Sequence, residues 1–338
     1  MAKRQLSAKQ RQRIEDSSTS DQLLTGRVVA RFGKQADVLP DNGTESIPCH
    51  IRANLNTVAL NKAYVTDEAA SGGVVSGDFV LFSLEKDHQR GVIESVQSRS
   101  SVLLRPDTRS RLRPVAANLD AICIVIAPLP EPHNNLVDRY FVASEILAIE
   151  PVLVCNKMDM LDPHAKDDFK RRFKVYSDLG YQTFQLSARS GEGLEEFADF
   201  LKSKTSIVVG QSGVGKSSLL YALIADFDDE IGALSTAKTS KTKGRHTTTT
   251  SRLYSLDCGG SIIDSPGIRE FGLWHLQPSD VQQGFIEIDR IAGDCKFRNC
   301  SHHSEPGCAV RDAVDQNQID PERFASYRFI VESLSQTH

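Results

Sequence analysis

No apolar run in this 338-residue chain is long enough to cross a membrane. The longest, Ala121 to Leu129, falls far short of the roughly 18 residues that a spanning helix needs. The N-terminus, MAKRQLSAKQRQRIEDSSTS, lacks the apolar core of a secretory leader, so a cytoplasmic protein is expected. A strong net charge is missing too: the formal value is −4, and any contact with nucleic acid falls to local patches. Cysteine is sparse, at seven residues, and thiols stay reduced in the compartment these absences point to, so no disulfide framework is expected. There are no internal repeats. What the chain does have is 40% hydrophobic content, enough for real cores, in a length that suits two or three domains.

Four regions follow from the pattern. Residues 1–22 form a tail; its first 13 residues carry Lys3, Arg4, Lys9, Arg11 and Arg13 and no acid. Such a tail is either a solvated terminus or an arm for RNA phosphates. Residues 23–110 hold short alternating runs, RVVARF, CHIRA, GDFVLFSL, GVIESV and SSVLLR, punctuated by glycines. About five short strands in such a span predict a small β-barrel, such as an oligonucleotide-binding (OB) fold. Residues 111–275 change rhythm. LDAICIVIA, PVLVCNK and TSIVVG are continuous apolar runs, as in strands buried on both faces, and helical stretches separate them. That alternation predicts a mostly parallel α/β sheet. Residues 276–338 form a small, mostly helical module rich in cysteine and histidine.

The run TSIVVGQSGVGKSSLLYAL reads as strand, glycine-rich loop and helix, and it matches the phosphate-loop pattern in its required context. The nucleotide-binding candidates are Gly210, Gln211, Ser212, Gly213, Val214, Gly215, Lys216, Ser217 and Ser218. The glycines let backbone amides wrap phosphates at a helix N-terminus. Lys216 is placed to reach the β- and γ-phosphates and to act in catalysis, and the Ser217 hydroxyl to bind Mg²⁺. IIDSPG follows a later apolar strand; there Asp264 is the second magnesium candidate and the Gly267 amide a γ-phosphate contact. VCNKMD ends another buried strand. In Asn156, Lys157, Met158 and Asp159 it offers an amide for the base edge, a lysine stem to pack on the ring and a carboxylate that selects guanine. LSARSG follows, with Ser187 and Ala188 in a turn that can present a backbone amide to the base. GTP and GDP are therefore the expected ligands. An ATPase remains as a rival, as does a nucleic-acid binder in which nucleotide only switches conformation.

CKFRNCSHHSEPGC sets Cys295, Cys300, His302 and Cys308 at a spacing that suits one structural Zn²⁺, three thiolates and an imidazole closing a tetrahedron. His303 is a rival imidazole. Cys49, Cys123, Cys155 and Cys258 are scattered and read as core residues.

The base-reading motif comes more than 50 residues before the phosphate loop. GTPases of the translation-factor class carry these motifs in the opposite order, so the sheet is read as circularly permuted. An OB-like barrel, a permuted GTPase and a Cys3His module together resemble the RsgA (YjeQ) family of bacterial small-ribosomal-subunit-dependent GTPases, over nearly the whole chain. The string GRHTTT, Gly244 to Thr249, is similar to that family's switch segment. The resemblance implies GTP hydrolysis stimulated by the small (30S) ribosomal subunit late in its maturation, with the subunit and its rRNA as partners. A monomer is expected. One absence bears on mechanism: the residue after D-x-x-G, where many GTPases carry a water-orienting glutamine, is Ile268. His246 is the internal candidate for that task, and one of Thr247 to Thr250 for closing over Mg²⁺.

Overall fold

The computed structural model describes residues 23–52, 55, 73–85, 88–106, 112–224, 251–264 and 277–335. The N-terminal tail, Gly267, Ile268, His246 and Thr247–Thr250 lie outside the described residues.

Five strands close the barrel: β1 (Leu24–Phe32), β2 (Gln35–Pro40), β3 (Ile47–Ile51), β4 (Phe79–Leu84) and β5 (Gly91–Val96). β1 pairs with both β2 and β4, β2 with β3, β3 with β5, and β5 with β4, so no strand edge is left unpaired. The alternation that builds it is plain in β2, where Ala36 and Val38 point inward and meet Val28, Phe82 and Ile93. Two strand expectations change. QADVLP supplies β2, which Asp37 and Pro40 disguise in the sequence. SSVLLR supplies β6 (Val102–Pro106), which is not a barrel strand; it pairs with β7 (Leu112–Ala117) in a separate hairpin. Leu103 and Ala116 of that hairpin pack into the core of the neighbouring α/β unit, where their burial favours them.

The α/β sheet runs β10 (Gln182–Gln185), β9 (Glu150–Cys155), β8 (Ala121–Ile126), β11 (Thr205–Val209), β13 (Ser261–Asp264), β12 (Arg252–Ser255). The first five are parallel and β12 is antiparallel to β13. All six residues of β8 are buried, as a central parallel strand requires. Helices α1 (Asn134–Leu147) and α2 (Pro163–Asp178) cover one face, and α3 (Leu194–Leu201) and α4 (Lys216–Leu223) the other. Asp162 starts α2: its carboxylate accepts from Ala165 N at 2.9 Å, and Pro163 follows where no amide is needed.

Barrel and sheet meet at several points, among them Ser76 Oγ, which donates to Ser251 O at 2.6 Å. Ala30 of β1 pairs opposite Arg252 of β12, so one sheet runs through both units. The Arg27 guanidinium donates to Thr205 Oγ1 at 2.5 Å. The C-terminal module has α5 (Pro278–Gly284), α6 (Ile286–Ala292), α7 (Ala309–Asp315) and α8 (Pro321–Ser335). It docks on α1 through a buried cluster in which Arg323 meets Asp138 at 2.5 Å and Glu287 at 2.8 Å. No helix among the described residues is long and apolar enough to cross a membrane.

Candidate nucleotide site and metal centre

The strand order undoes the reversal of the motifs. Parallel strands present all their C-terminal ends at one edge, where ligands of open α/β sheets bind. β11 sits between β8 and β13, so the phosphate loop that follows β11 lies centrally. Asp264, the last residue of β13, ends one strand away on one side. On the other side stand the loop after β8, then Asn156–Asp159 after β9, then Ser187 and Ala188 after β10. Four loops and the end of β13, scattered from residue 127 to residue 264, thus share one edge.

The phosphate loop has the backbone its glycines allow. Gly210, Gly213 and Gly215 have φ of 139°, 86° and 92°, values that side-chain-bearing residues rarely adopt. A Cβ on Gly210 would lie 2.2 Å from the Val125 carbonyl oxygen, and one on Gly215 2.5 Å from Asn156 Nδ2. The loop runs straight into α4, whose first residue is Lys216. The Lys216 ammonium donates to the carbonyls of Gly210 at 2.8 Å and Gln211 at 2.6 Å, so it sits over the mouth of the loop. Ser217 and Ser218 are exposed in the first turn of the helix, and Val214 is buried beneath it.

Asn156 has a task that its sequence context did not reveal. It is 1% exposed, and its Nδ2 donates to Val214 O at 3.0 Å. Its Oδ1 accepts from Ala188 N at 3.0 Å and from Lys157 N at 2.8 Å. One amide therefore ties the phosphate loop to both base-side turns. The Ala188 amide, expected to face a base, is engaged in this tie. Ser187 is fully buried and its Oγ accepts from the amides of Arg189 and Ser190, which shapes the second turn. Lys157, at φ 61°, stretches across to donate to Gly213 O at 2.5 Å and Leu129 O at 2.9 Å. Met158 is buried beneath it, and Asp159 is exposed at the rim, free to meet a ligand.

The C-terminal module gathers the second group. One ligand atom from each of Cys295, Cys300, His302 and Cys308 lies within 4.8 Å of every other. His302 Nδ1 is 3.6 Å from Cys295 Sγ and 3.4 Å from Cys308 Sγ, and the two sulfurs are 4.0 Å apart. A tetrahedron with zinc–ligand bonds of about 2.0–2.3 Å has edges of about 3.3–3.8 Å, so the donor set fits zinc in both chemistry and spacing. The rival His303 is exposed and its Nδ1 accepts from Arg328 at 2.8 Å, outside the cluster. Burial, with Cys308 and Cys295 alongside, pushes the Cys300 thiol up to about 12. A cation among the sulfurs would hold Cys300 as a thiolate at neutral pH. Gln282, in α5, was not legible as part of this site. Its Oε1 stands 3.2 Å from His302 Nε2 and accepts a hydrogen bond from Nε2–H, the tautomer that leaves Nδ1 free as a ligand. Gln282→Leu is expected to weaken zinc affinity about 10- to 100-fold. Competition with a chromophoric chelator measures this; an unchanged affinity would remove Gln282 from the site.

The family model for RsgA GTPases matches residues 96–274, the part of the chain that carries every one of these nucleotide loops. The chain belongs to the RsgA GTPase family. It is accordingly a GTP hydrolase, with a circularly permuted GTPase unit. Among RsgA proteins, the small ribosomal subunit biogenesis GTPase RsgA of Saccharophagus degradans is 44% identical, covering 99% of this chain and 98% of its own. That of Yersinia pseudotuberculosis is 42% identical over 98% of this chain and 91% of its own. The crystal structure of YjeQ from Thermotoga maritima superposes with a TM-score of 0.71 at 29% identity, covering 92% of this chain and 98% of that one. YloQ, described as a circularly permuted GTPase, shares the fold with a TM-score of 0.69 at 23% identity over 95% of this chain and 98% of its own.

Proposed function

We propose that this RsgA-family chain binds the small ribosomal subunit and hydrolyses GTP there to assist its late maturation, with rRNA contact completing the active site. The observation that carries the reading is the convergence of guanine, phosphate and magnesium motifs on one sheet edge of a chain whose full-length relatives are named small ribosomal subunit biogenesis GTPases.

Phosphoryl transfer needs positioning and charge stabilisation more than covalent help. The amides of residues 210–218 cradle the phosphates at the N-terminus of α4, and Lys216 leaves the Gly210 and Gln211 carbonyls to meet the β- and γ-oxygens. Ser217 and Asp264 would hold Mg²⁺, which would offset the negative charge of the phosphates. Gly267 contacts the γ-phosphate. Asp159 accepts from guanine, the Lys157 stem covers the ring, and Asn156 keeps both turns in register with the phosphate loop. Zinc at Cys295, Cys300, His302 and Cys308 is structural, since protein fills all four positions. The chain works as a cytoplasmic monomer. Its units are a basic tail (1–22), a barrel unit (23–110) whose last strand β6 serves the core of the GTPase, the GTPase (111–275) and the zinc module (276–338).

The guanine assignment has its own test. Asp159→Asn is expected to weaken GTP and GDP binding about 10- to 100-fold, as loss of charged hydrogen bonds does. It should raise relative affinity for xanthine nucleotides, whose extra carbonyl an amide can donate to. Equilibrium titration with GTP affinity unchanged would place the base elsewhere.

Activation rests on two features of the sequence. Ile268 cannot orient water, and Lys238, Lys241, Lys243, Arg245 and Arg252 crowd the switch segment without an acid. Turnover alone is expected to be slow, and purified small subunits should raise it towards the low end of the roughly 10³–10⁵ that completing a GTPase site gives. Salt should reduce the stimulation, because phosphate contacts carry it. His246→Ala should spare nucleotide binding and lower the stimulated rate. Equal maximal rates for variant and parent would remove His246 from catalysis, and no response of the parent to subunits would remove the ribosomal assignment.

A further inference from the structure

A cavity of about 360 Å³ opens between α2 and the edge strand β10, on the far side of the base-reading turns from the phosphate loop. It owes its existence to the pleat of β10. Phe184 points to the opposite core, so the residues that β10 turns towards α2 are Thr183 and Gln185, neither of which can seal an apolar interface. The floor is apolar: Phe169 and Phe173, with ring centroids 4.9 Å apart, and Cys155. Burial pushes the Cys155 thiol up to about 12, so it is a neutral wall and not a nucleophile.

The rim is one-signed. Lys170, Arg171 and Lys174 line it and no acid does. Arg171 pairs with Asp168 at 3.2 Å and Lys174 with Asp178, both along the exposed face of α2. Lys170 enters no ion pair among the described residues. Thr183 Oγ1 is buried in this wall without a hydrogen-bond partner among the described residues. An apolar floor, a cationic rim and neutral polar walls are the complement of one kind of molecule.

We propose that this cleft is a binding site for a small amphipathic anion, a flat apolar body bearing a carboxylate or phosphate, whose occupancy tightens guanine-nucleotide binding. The volume lies at the low end of the roughly 300–1,000 Å³ of ligand pockets, which limits the body to about two fused rings. The anion sits against Lys170, the rim cation that no acid pairs among the described residues, and the rings lie on Phe169 and Phe173. The coupling follows from the walls. Cys155 directly precedes Asn156, and Leu186 N donates to Cys155 O at 2.9 Å just before Ser187. A ligand that braces these two strand ends fixes the positions from which both base-side turns depart, and linkage makes the effect reciprocal. Occupancy of the cleft stands apart from the ribosomal reading; only its coupling rests on the guanine assignment.

The test uses the full chain with 2-naphthoate, 2-naphthyl phosphate and the neutral 2-naphthamide, titrated by calorimetry and by amide NMR with and without GDP. Expected is saturable binding of one or both anions, undisplaced by GDP, and much weaker binding of the amide. The tighter anion identifies the head group. Lys170→Glu should weaken it at least about tenfold, and Ser177→Trp, which fills the cleft from the exposed face of α2, should abolish it. Circular dichroism and GDP binding check that both variants fold. A saturating anion should lower the GDP dissociation constant about fivefold. Absence of saturable binding, displacement by GDP, equal binding of the amide or undiminished affinity in Lys170→Glu would each overturn the site. An unchanged GDP affinity under saturating anion would overturn the coupling, while Asp159→Asn reports separately on the guanine assignment.

Discussion

Lys216→Ala is expected to lower GTP turnover at least about 10²-fold, both for the chain alone and in the presence of small subunits. Its ammonium lies over the mouth of the phosphate loop, where it donates to the carbonyls of Gly210 and Gln211. Those contacts are neutral ones that a phosphate oxygen outcompetes, because a charged pair is the stronger hydrogen bond. As the bond to the γ-phosphoryl group loosens, charge moves onto oxygens that Lys216 faces, and losing one such preorganised group typically costs about 10²–10³ in rate. Lys216→Arg should not rescue, since a planar fork cannot occupy the space of a compact ammonium between two loop carbonyls. Folding should be unaffected, because the side chain supports no core contact. Single-turnover hydrolysis measures the effect, with a thermal melt as control. A rate within threefold of the parent would refute the role.

Arg323→Met should produce the largest loss of stability. The guanidinium is 2% exposed and spans two carboxylates on different elements, Asp138 of α1 at 2.5 Å and Glu287 of α6 at 2.8 Å. It also lies over the Phe285 ring, 4.6 Å from the centroid, and Tyr176 donates to Asp138 at 2.7 Å. Burial works against the Arg323 charge, yet Asp138 and Glu287 outweigh it and raise its pKa. Removing the cation strands two acids in a dry interface, a change that typically costs about 3–5 kcal/mol. The pH dependence has a definite sign. Burial pushes the Asp138 carboxyl up and Arg323 pulls it back. Without that pull the native carboxyl rises further and keeps a proton that the unfolded chain releases near pH 4. The native state then binds more protons than the unfolded one, so the variant loses stability as pH rises from about 4 towards the native Asp138 value. Denaturant melts at pH 5 and pH 7 read both effects. A loss below about 1 kcal/mol at both pH values would show that the cluster does not hold the module to α1.

Why these predictions differ in legibility is a matter of sequence distance. Lys216, Asp159 and the zinc ligands sit in short contiguous strings whose spacing is itself the chemistry, so they can be read without a fold. The buried parallel strands announce themselves by unbroken apolar runs such as AICIVI. Arg323 and Asp138 are 185 positions apart, and nothing near either one marks the pairing. Gln282 and His302 are likewise joined only by the packing of α5 on the cysteine loop. Asn156 was legible as a site residue and not in its direction, because the side chain's partners belong to loops after β10 and β11. The barrel was read as a barrel with one strand misplaced. A charged and a proline residue hid β2, and the apolar content of β6 could not say which of two cores it serves.

The place of β11 between β8 and β13 also sets the order in which the sheet can be built during synthesis. A growing chain releases β8, β9 and β10 first, and these can pair with one another at once. One side of β8, however, faces its partner β11 only after α3 has emerged. Until then the most completely apolar strand of the sheet is an open edge, the kind of template to which another strand adds. Chains cut off between residue 155 and residue 205 therefore carry this edge permanently, and they should aggregate where the complete chain does not.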